Sequence, residues 1–345
     1  MMQVHVATGS PYEILIERGL LASCGKLIRT LLGETRIALI SDETVDGLYG
    51  DLVESSLTAA GHRVVRMPFL GGEKNKNMQT VENLLLRLLE NEFTRTDLIV
   101  ALGGGITGDV AGFTASAYLR GIRYVQIPTT LLAALDSSVG GKTGVNLGGY
   151  KNQVGAFHQP SLVICDPDVL KTLTEEQYAD GMAEAIKYGV AFDRSLFEMI
   201  YSSHDISEVI HRCVQIKADV VSADETERGV RRLLNFGHTV GHAIEKMTDH
   251  EFTHGQAVAV GMVIVTRCAL KMGFCEEDFL SDLIGCITYH GLPRSVIATA
   301  EELISAMKTD KKRQGDNITL ILPKRLGECR PETVRLPDLP RLITL

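Results

Sequence analysis

The chain has 345 residues, of which 45% are apolar and 23% are charged, and its formal net charge is −8 at pH 7. These values are typical of a globular protein with enough material for two domains, and they exclude a disordered chain. The acidic balance argues against a surface for nucleic acids or anionic membranes, although a local cluster of lysines can still bind a small anion.

The seven cysteines are scattered and never spaced Cys-x-x-Cys, which favours buried thiols in a reducing compartment over a disulfide framework. The N-terminal residues lack a basic region followed by an apolar stretch, so we predict no signal peptide. The longest apolar run, residues 257–265, is too short to span a bilayer. We therefore expect a soluble, cytoplasmic protein with neither a membrane nor a nucleic-acid partner.

The first half of the chain alternates short β-rich runs with helical patterns. Residues 81–89 have helical spacing, and Ser41 and Asp42 follow a strand as a turn and helix start. The predicted strands are residues 12–16, 36–40, 62–67, 97–102 and 123–127. Strands that alternate with helices predict crossover units and a parallel sheet of nucleotide-binding type.

From about residue 165 onward, helical patterns follow one another. They cover residues 174–188, 193–201, 206–223, 236–247, 256–271 and 276–290, and only residues 317–322 read as a strand. The predicted fold class is α/β, with an N-terminal nucleotide-binding parallel-sheet domain over residues 1–164. A mostly α-helical metal- and substrate-binding domain is predicted over residues 165–345. We expect the reaction site in the cleft between the two.

A glycine-rich turn follows the strand predicted at residues 97–102. Gly103, Gly105 and Gly108 satisfy the dinucleotide fingerprint, in which glycines let the backbone approach a diphosphate at a helix N-terminus. The signal is weak alone, because no acidic residue follows about twenty positions later and a tight turn without a ligand gives the same pattern. Asp42 or Glu73 could supply the missing carboxylate for an adenosine ribose.

Residues 126–152 are rich in glycine, hydroxyl groups and lysine and poor in apolar side chains. Asp136, Lys142 and Lys151 stand among these glycines. Lysine binds phosphate or carboxylate as a point charge, and neighbouring glycines allow a close approach. We interpret the stretch as an anion site and not as a solvated surface loop.

Two histidines, His238 and His242, lie one helical turn apart, and His254 follows them. With Glu184 upstream, three imidazoles and a carboxylate can hold a metal with open positions. The glycines beside the histidines are interpreted as room for something bulky. The Glu that follows the first histidine in zinc-protease helices is missing, since Thr239 stands there. Spacing therefore leaves open which two of the three histidines bind metal.

These motifs, in this order, resemble the 3-dehydroquinate synthase family. The resemblance runs from about residue 36 to residue 322 and is carried by residues 103–113, 127–146, 151–152, 181–189, 231–245, 254–262 and 307–312. It implies a lyase of the shikimate pathway of aromatic amino acid biosynthesis. The enzyme would convert 3-deoxy-D-arabino-heptulosonate 7-phosphate to 3-dehydroquinate and phosphate, with NAD and Zn²⁺ or Co²⁺ as cofactors.

The resemblance also implies a role for each matching residue. The metal ligands would be Glu184, His238 and His254. The catalytic residues would be Lys142, Lys187, Asn235 and His242. NAD would be held by Asp42, Glu73, Lys76, Gly104, Gly105, Ile106, Asp109, Thr129, Thr130, Lys142, Lys151 and Thr172. The substrate would be bound by Asp136, Lys151, Asn152, Lys217, Arg231, Lys311 and Arg120, the last of which reaches the neighbouring subunit's phosphate site in a homodimer.

The implied mechanism begins with hydride transfer from the substrate to NAD, helped by metal coordination of a ring hydroxyl. The resulting ketone acidifies the adjacent C–H bond, and phosphate leaves by β-elimination with its own oxygen as base. NADH returns the hydride, the ring opens, and an intramolecular aldol step closes the carbocycle. Family members usually carry Glu where this chain has Gln256. We expect this change to alter the surroundings of a metal ligand without abolishing binding.

Three alternatives stay open at this point. A metal-dependent NAD dehydrogenase of the glycerol-dehydrogenase type, acting on polyols, would share the fold but needs no anion pocket for Lys142, Lys151 and Lys187. Another sugar phosphate cyclase would differ across residues 136–146. A non-catalytic nucleotide-binding protein would hold NAD without turning over.

Overall fold

The computed structural model describes residues 1–202, 205–227, 229–249, 251–307 and 316–345. These residues form two compact units, and the first comprises Met1–Leu173 with Lys217–Ser222. The second comprises Thr174–Ile216 with Ala223–Leu345. The α/β fold class is confirmed, since the first unit contains a mainly parallel sheet and helices predominate in the second.

The first unit combines nine strands with five helices. The strands are β1 (Met2–Val6), β2 (Tyr12–Ile16), β3 (Arg36–Asp42), β4 (Arg63–Phe69), β5 (Leu98–Gly103), β6 (Arg123–Pro128), β7 (Lys142–Leu147), β8 (Tyr150–Phe157) and β9 (Leu162–Cys165). The helices are α1 (Cys24–Leu32), α2 (Glu43–Val45), α3 (Asp51–Ala59), α4 (Met78–Glu90) and α5 (Gly105–Ala117). Strands β7 and β8 form a separate antiparallel hairpin.

The other seven strands form one sheet in the order β1-β2-β9-β6-β5-β3-β4, with only β1 antiparallel to its neighbour. The chain passes from β3 to β4 on one side and then to β5 and β6 on the other. The direction of the connections therefore reverses between β3 and β5, and ligands of open α/β sheets bind at the carboxyl ends beside such a switch point. Asp42 ends β3 and Gly103 ends β5.

The sequence of β5 is apolar throughout because both faces of the strand are covered, as in other parallel sheets. Every residue from Leu98 to Leu102 is at most 2% exposed. On one face, alternate residues Ile99 and Ala101 pack with Leu84 of α4 and Val110 of α5 in a single hydrophobic cluster. This packing fixes the direction in which β5 delivers the glycine loop to the start of α5.

The second unit consists of helices and one further hairpin. Its elements are α6 (Glu175–Phe192), α7 (Arg194–Tyr201), α8 (Ile206–Ala223, which also contributes residues 217–222 to the first unit), α9 (His238–Met247), α10 (His254–Lys271), α11 (Glu277–Tyr289), α12 (Ala300–Met307), β10 (Asn317–Arg325), β11 (Glu328–Arg335) and α13 (Leu339–Leu342). Within the described ranges, no helix combines the length and the apolar character that crossing a membrane requires.

The predicted strands and helices are present, with bounds that differ by a few residues. The prediction that residues 317–322 form the only strand of the second half is wrong, since β11 pairs with β10. Strand β11 reads Glu-Cys-Arg-Pro-Glu-Thr-Val-Arg, in which five of eight side chains are polar, because a two-stranded hairpin leaves one face in water. Strands β1, β7, β8 and β9 and helices α1, α12 and α13 were also not predicted.

Candidate active site

The glycine loop at the end of β5 is shaped by close contacts that leave no space for side chains. A Cβ atom on Gly103 would lie 2.5 Å from the Thr107 side chain, and one on Gly104 would lie 2.9 Å from that of Thr130. The backbone N–H of Thr129 donates to the carbonyl of Gly103 at 3.0 Å, which ties the end of β6 to that of β5. The loop opens α5, a helix of 13 residues whose N-terminus favours a phosphate.

The predicted acidic residues lie next to this loop. Asp42 accepts a hydrogen bond from the Thr107 hydroxyl at 3.1 Å. A Cβ atom on Gly71 would lie 3.0 Å from that of Asp42, so the segment that contains Glu73 begins beside it. Glu73 in turn accepts from the amide of Asn146 at 2.9 Å. The order of strands in the sheet therefore brings the carboxylates of Asp42 and Glu73 to the carboxyl ends of β3 and β5.

One buried atom indicates that a further group completes this region. The hydroxyl of Thr129 is buried and has no hydrogen-bond partner among the residues that the structure describes. Since a buried polar atom without a partner is costly, a ligand that supplies one would relieve it. The crowded glycines, the helix N-terminus with Gly105 and Ile106 in its first turn, and the nearby acids fit a dinucleotide.

A buried polar cluster lies beside the loop. Lys76 is 5% exposed, and its Nζ donates to Asp109 Oδ2 at 2.5 Å and to Asn152 Oδ1 at 2.6 Å. Burial raises the pKa of Asp109 even though the positive charge of Lys76 lowers it, and the negative charge of Glu73 raises it further. These predicted cofactor and substrate residues are thus in mutual contact, and Lys76 is the charge that holds them together.

A second lysine joins the same cluster. Lys217 is buried and forms an ion pair with the carboxylate of Asp136, and its Nζ also donates to the Asp136 carbonyl at 2.7 Å. Its charge lowers the pKa of Asp109, although burial prevails there. On the hairpin, Lys142 begins β7 with an exposed side chain, and Lys151 is half-buried in β8. Lys142 and Lys151 therefore lie on the β7–β8 hairpin, whereas residues 129–141, between β6 and β7, are mostly buried. The anion site interpreted from residues 126–152 stays a prediction.

In the second unit, three predicted metal ligands converge. Glu184 of α6 is 2% exposed, and its Oε1 lies 3.2 Å from Nε2 of His238 and 3.3 Å from Nε2 of His254. Lys187, one turn further along α6, pairs with the other carboxylate oxygen and lies 4.6 Å from the ring centre of Tyr188. A carboxylate oxygen and two imidazole nitrogens are the ligand set of a catalytic zinc or cobalt site, so the donors fit a divalent cation.

The hydrogen bonds around these ligands orient them. Nδ1 of His238 lies 3.1 Å from the carbonyl of Phe236, which assigns the ring proton to Nδ1 and leaves the Nε2 lone pair facing Glu184. Burial lowers the pKa of His238. Burial would also raise the pKa of Glu184, but attraction to Lys187 and His238 outweighs it and holds this pKa well below the usual range. His238 as a neutral imidazole and Glu184 as an ionised carboxylate therefore need to lose no proton to bind a cation.

His242 lies close to both histidines that are predicted to bind metal. Its ring centre is 5.6 Å from that of His238 and 6.1 Å from that of His254. A second set, formed by His242, Glu245 and His254, also has donor atoms within 4.8 Å of one another. The structure thus gathers all three histidines that the sequence left undecided. The ligand set Glu184, His238 and His254 stays a prediction.

Two predicted substrate residues lie in the turn before α9. Arg231 is 2% exposed and donates its guanidinium to the carbonyl of Glu225 at 2.5 Å. The amide of Asn235 donates to Glu227 Oε1 at 2.7 Å. Elsewhere, Arg120 is exposed with a φ of 68°, and the hydroxyl of Thr172 lies 2.8 Å from that of Tyr49. Lys311 lies outside the described residues.

The glycines of α9 and α10 allow close helix packing and do not make room for a bulky group. A Cβ atom on Gly241 would lie 3.1 Å from the carbonyl of Ala257, and one on Gly261 would lie 2.1 Å from the carbonyl of Gly237. The interpretation that these glycines leave room for a bulky group is therefore wrong. They let the backbones of α9 and α10 touch, and this contact brings His238 and His254 within reach of one carboxylate.

Two residues near the predicted metal ligands were not selected from the sequence. The Asp180 carboxylate accepts from the backbone N–H of Gly255 at 2.6 Å and from the Thr253 hydroxyl, and so fixes the start of α10. Glu245 lies 3.5 Å from Nδ1 of His254. Helical spacing could have found both, since Asp180 precedes Glu184 by one turn and Glu245 follows His238 by two.

Comparison with known proteins gives matches over most of the chain. The family model described as 3-dehydroquinate synthase N-terminal matches residues 66–180, and the one described as 3-dehydroquinate synthase C-terminal matches residues 181–313. A 3-dehydroquinate synthase of Clostridium acetobutylicum is 43% identical to this chain over 94% of its length and 93% of the relative.

Two solved structures share the fold. A 2-deoxy-scyllo-inosose synthase complexed with carbaglucose-6-phosphate, NAD+ and Co²⁺ has a TM-score of 0.87 and 26% identity, over 98% of this chain and 99% of that one. A 2-epi-5-epi-valiolone synthase from Streptomyces hygroscopicus with NAD+ and Zn²⁺ bound has a TM-score of 0.88 and 27% identity, over 96% and 95% of the two chains.

Proposed function

Since the chain belongs to the 3-dehydroquinate synthase family, we propose that it converts 3-deoxy-D-arabino-heptulosonate 7-phosphate to 3-dehydroquinate and inorganic phosphate. It is a phosphate-eliminating cyclase of the shikimate pathway that depends on NAD and a divalent metal. The main structural support for the proposal is the position of Glu184 Oε1, which lies 3.2 Å from Nε2 of His238 and 3.3 Å from Nε2 of His254.

When bound, the cation polarises a substrate hydroxyl, and NAD accepts a hydride and later returns it. Glu184, His238 and His254 would hold the cation. Lys187 neutralises the buried carboxylate of Glu184, so that the ligand stays ionised at the pH of catalysis. The glycine loop with Asp42 would hold NAD at the carboxyl ends of β3 and β5, and the hydroxyl of Thr129 would donate to or accept from it.

The substrate carries a carboxylate and a phosphate, and the chain supplies cations for both. We assign this binding to Lys142, Lys151, Lys217 and Arg231, because fixed positive charges position an anionic substrate without a cost in reorganisation. His242, beside the two ligand imidazoles, would move a proton at the substrate hydroxyl. Asn235, which Glu227 holds at 2.7 Å, would orient a hydroxyl group.

We further propose that the enzyme is a homodimer in the cytoplasm. Leu119 and Arg120 are exposed and have φ angles of 50° and 68°, which are unfavourable for residues with a side chain. Such a strained exposed turn is consistent with Arg120 reaching a neighbouring subunit's phosphate site. The seven cysteines are all free thiols, which agrees with a reducing compartment.

The test is incubation of the metal-loaded enzyme with the heptulosonate phosphate and catalytic amounts of NAD. We expect phosphate and dehydroquinate to appear in equal amounts while NADH does not accumulate. Net NADH formation with simple polyols would instead identify a dehydrogenase, and NAD binding without phosphate release would identify a non-catalytic protein.

The first variant prediction concerns the carboxylate ligand. Glu184→Gln is expected to remove bound metal and nearly all turnover, because it neutralises the ligand and leaves Lys187 buried beside an amide. Metal content is measured by mass spectrometry of the purified protein. Glu175→Gln, an exposed position on the same helix, is the matched control and should keep both properties. Wild-type metal content in Glu184→Gln would refute the ligand assignment.

A further inference from the structure

A buried carboxylate near the metal ligands has no part in the reaction as proposed. Glu245 lies on α9, two turns after His238 and therefore on the same face of the helix, and it is 3% exposed. Its Oε1 lies 3.5 Å from Nδ1 of His254 on α10. A buried carboxylate is costly unless it interacts with a partner, so this contact calls for a functional explanation.

His254 presents one ring nitrogen to each of two carboxylates. Nε2 lies 3.3 Å from Glu184 Oε1, and Nδ1 faces Glu245. A neutral imidazole carries its proton on one nitrogen and a lone pair on the other. If the Nε2 lone pair binds a cation together with Glu184, the proton must be on Nδ1, where Glu245 can accept it.

His238 provides an internal comparison. Its Nδ1 faces the backbone carbonyl of Phe236 at 3.1 Å, which is a neutral acceptor. The two imidazoles that point to Glu184 are therefore oriented by acceptors of different charge. A carboxylate withdraws the ring proton more strongly than a carbonyl, and this makes the opposite nitrogen a better electron-pair donor.

Building on the proposed function, we propose that Glu245 is a positioning residue that accepts the Nδ1–H hydrogen bond of His254, fixes its tautomer and thereby strengthens metal binding. The competing assignment makes Glu245 a direct ligand in the set His242, Glu245 and His254. The orientation of His238 favours the first assignment, because the carbonyl of Phe236 directs the Nε2 lone pair of His238 to Glu184.

The experiment compares Glu245→Gln with the wild-type full chain after removal of metal by a chelator. The dissociation constant for Zn²⁺ is measured by competition with a chromophoric chelator, and the visible spectrum is recorded with Co²⁺ at saturation. We expect Zn²⁺ affinity to fall about 10- to 100-fold, while the cobalt spectrum keeps the ligand number of the wild type. Thr266→Val, a buried isosteric change on α10 that removes one hydroxyl, should leave the affinity unchanged.

An unchanged dissociation constant would overturn the proposal. So would a complete loss of binding with a changed cobalt ligand number, which is the result for a direct ligand. If Glu245→Gln does not fold, NMR of the zinc-loaded wild type with ¹⁵N-labelled histidine decides: a protonated Nδ1 on His254 supports the proposal, and a protonated Nε2 overturns it. Failure of the proposed function itself is distinguishable, because Glu184→Gln would then bind Zn²⁺ as tightly as the wild type.

Discussion

At the scale of single residues, the proposed metal ligands show how burial and charge determine the protonation of a site. In the metal-free protein the pKa of His254 is raised from 6.5 to about 10, because Glu184 and Glu245 outweigh the burial that would lower it. His238, which donates to a carbonyl, has its pKa lowered by the same kind of burial. Two histidines of one site thus differ in protonation because their acceptors differ.

This difference predicts a pH dependence of metal binding. Below pH 10 a proton occupies His254 and must leave before its nitrogen binds a cation, so affinity should rise with pH between 6.5 and 10. The expected slope is roughly a tenfold gain in association constant for each pH unit. Competition titrations with Zn²⁺, corrected for protonation of the competing chelator, measure it. A flat profile over this window contradicts the prediction.

The free energy of unfolding of the metal-free chain should fall as the pH rises, in contrast to the metal affinity. A folded-state pKa above the unfolded value means that the bound proton stabilises the fold fully below pH 6.5, and that this contribution is lost as the pH rises toward 10. Urea unfolding of the metal-free protein across the same window is the control. His254→Gln should flatten that part of the profile.

At the scale of elements, the start of α10 explains a departure from the family pattern. Gln256 accepts from the backbone N–H of Thr253 at 3.0 Å and so completes a capping box. Its amide also donates to Glu176 of α6 at 3.2 Å. A glutamate at position 256 could still accept from the backbone N–H of Thr253, but its negative charge would repel the carboxylate of Glu176. Glutamine therefore stabilises the contact between α6 and α10.

We therefore predict that Gln256→Glu destabilises the protein by about 0.5–1 kcal/mol without loss of metal. The double variant Glu176→Gln with Gln256→Glu should recover the loss, since the amide and the carboxylate are then exchanged. Chemical denaturation of the wild type, the two single variants and the double variant measures the coupling. Equal stability of the single variant and the wild type would show that the contact with Glu176 contributes nothing.

The packing of α9 on α10 sets the distance between His238 and His254, the proposed ligand histidines. Gly261→Ala would place a Cβ atom 2.1 Å from the carbonyl of Gly237, so the helices must separate. We predict a loss of about 1–3 kcal/mol in the free energy of unfolding, together with weaker metal binding. Gly47→Ala is the matched control, because no atom lies within 4 Å of its added Cβ. Both variants are compared by urea unfolding and Zn²⁺ titration.

At the scale of the whole molecule, the proposed dimer makes one subunit dependent on its partner. If Arg120 acts in the neighbouring site, Arg120→Ala and Glu184→Gln are each inactive alone, but a mixed dimer contains one complete site. Random exchange of equal amounts should restore about a quarter of wild-type activity. Activity after mixing, with sedimentation to confirm the dimer, measures this. No recovery in a confirmed mixed dimer excludes the shared site.

Much of this molecule follows from sequence alone, because its signals are local. The apolar run of β5 and the glycines after it predicted a buried strand and a tight turn into a helix, and both are present, whereas the binding of NAD by this loop stays a prediction. Helices α4 and α6 to α11 were predictable from apolar spacing of 3–4 residues, whereas α12 was not. The hairpin β7–β8 was not predicted, because its glycines and polar side chains are also typical of a surface loop. The pairing of its two strands with each other gives it regular structure.

Tertiary structure alone decided which distant residues meet. The order of strands β3, β5 and β6 brings Asp42, Gly103 and Thr129 to one edge of the sheet, and spacing in the chain carries no information about that order. Likewise, His238 and His254 reach one oxygen of Glu184 because glycines let α9 and α10 touch. Chain-local patterns specify periodicity and turns, whereas a site assembled across elements depends on packing between segments far apart in sequence.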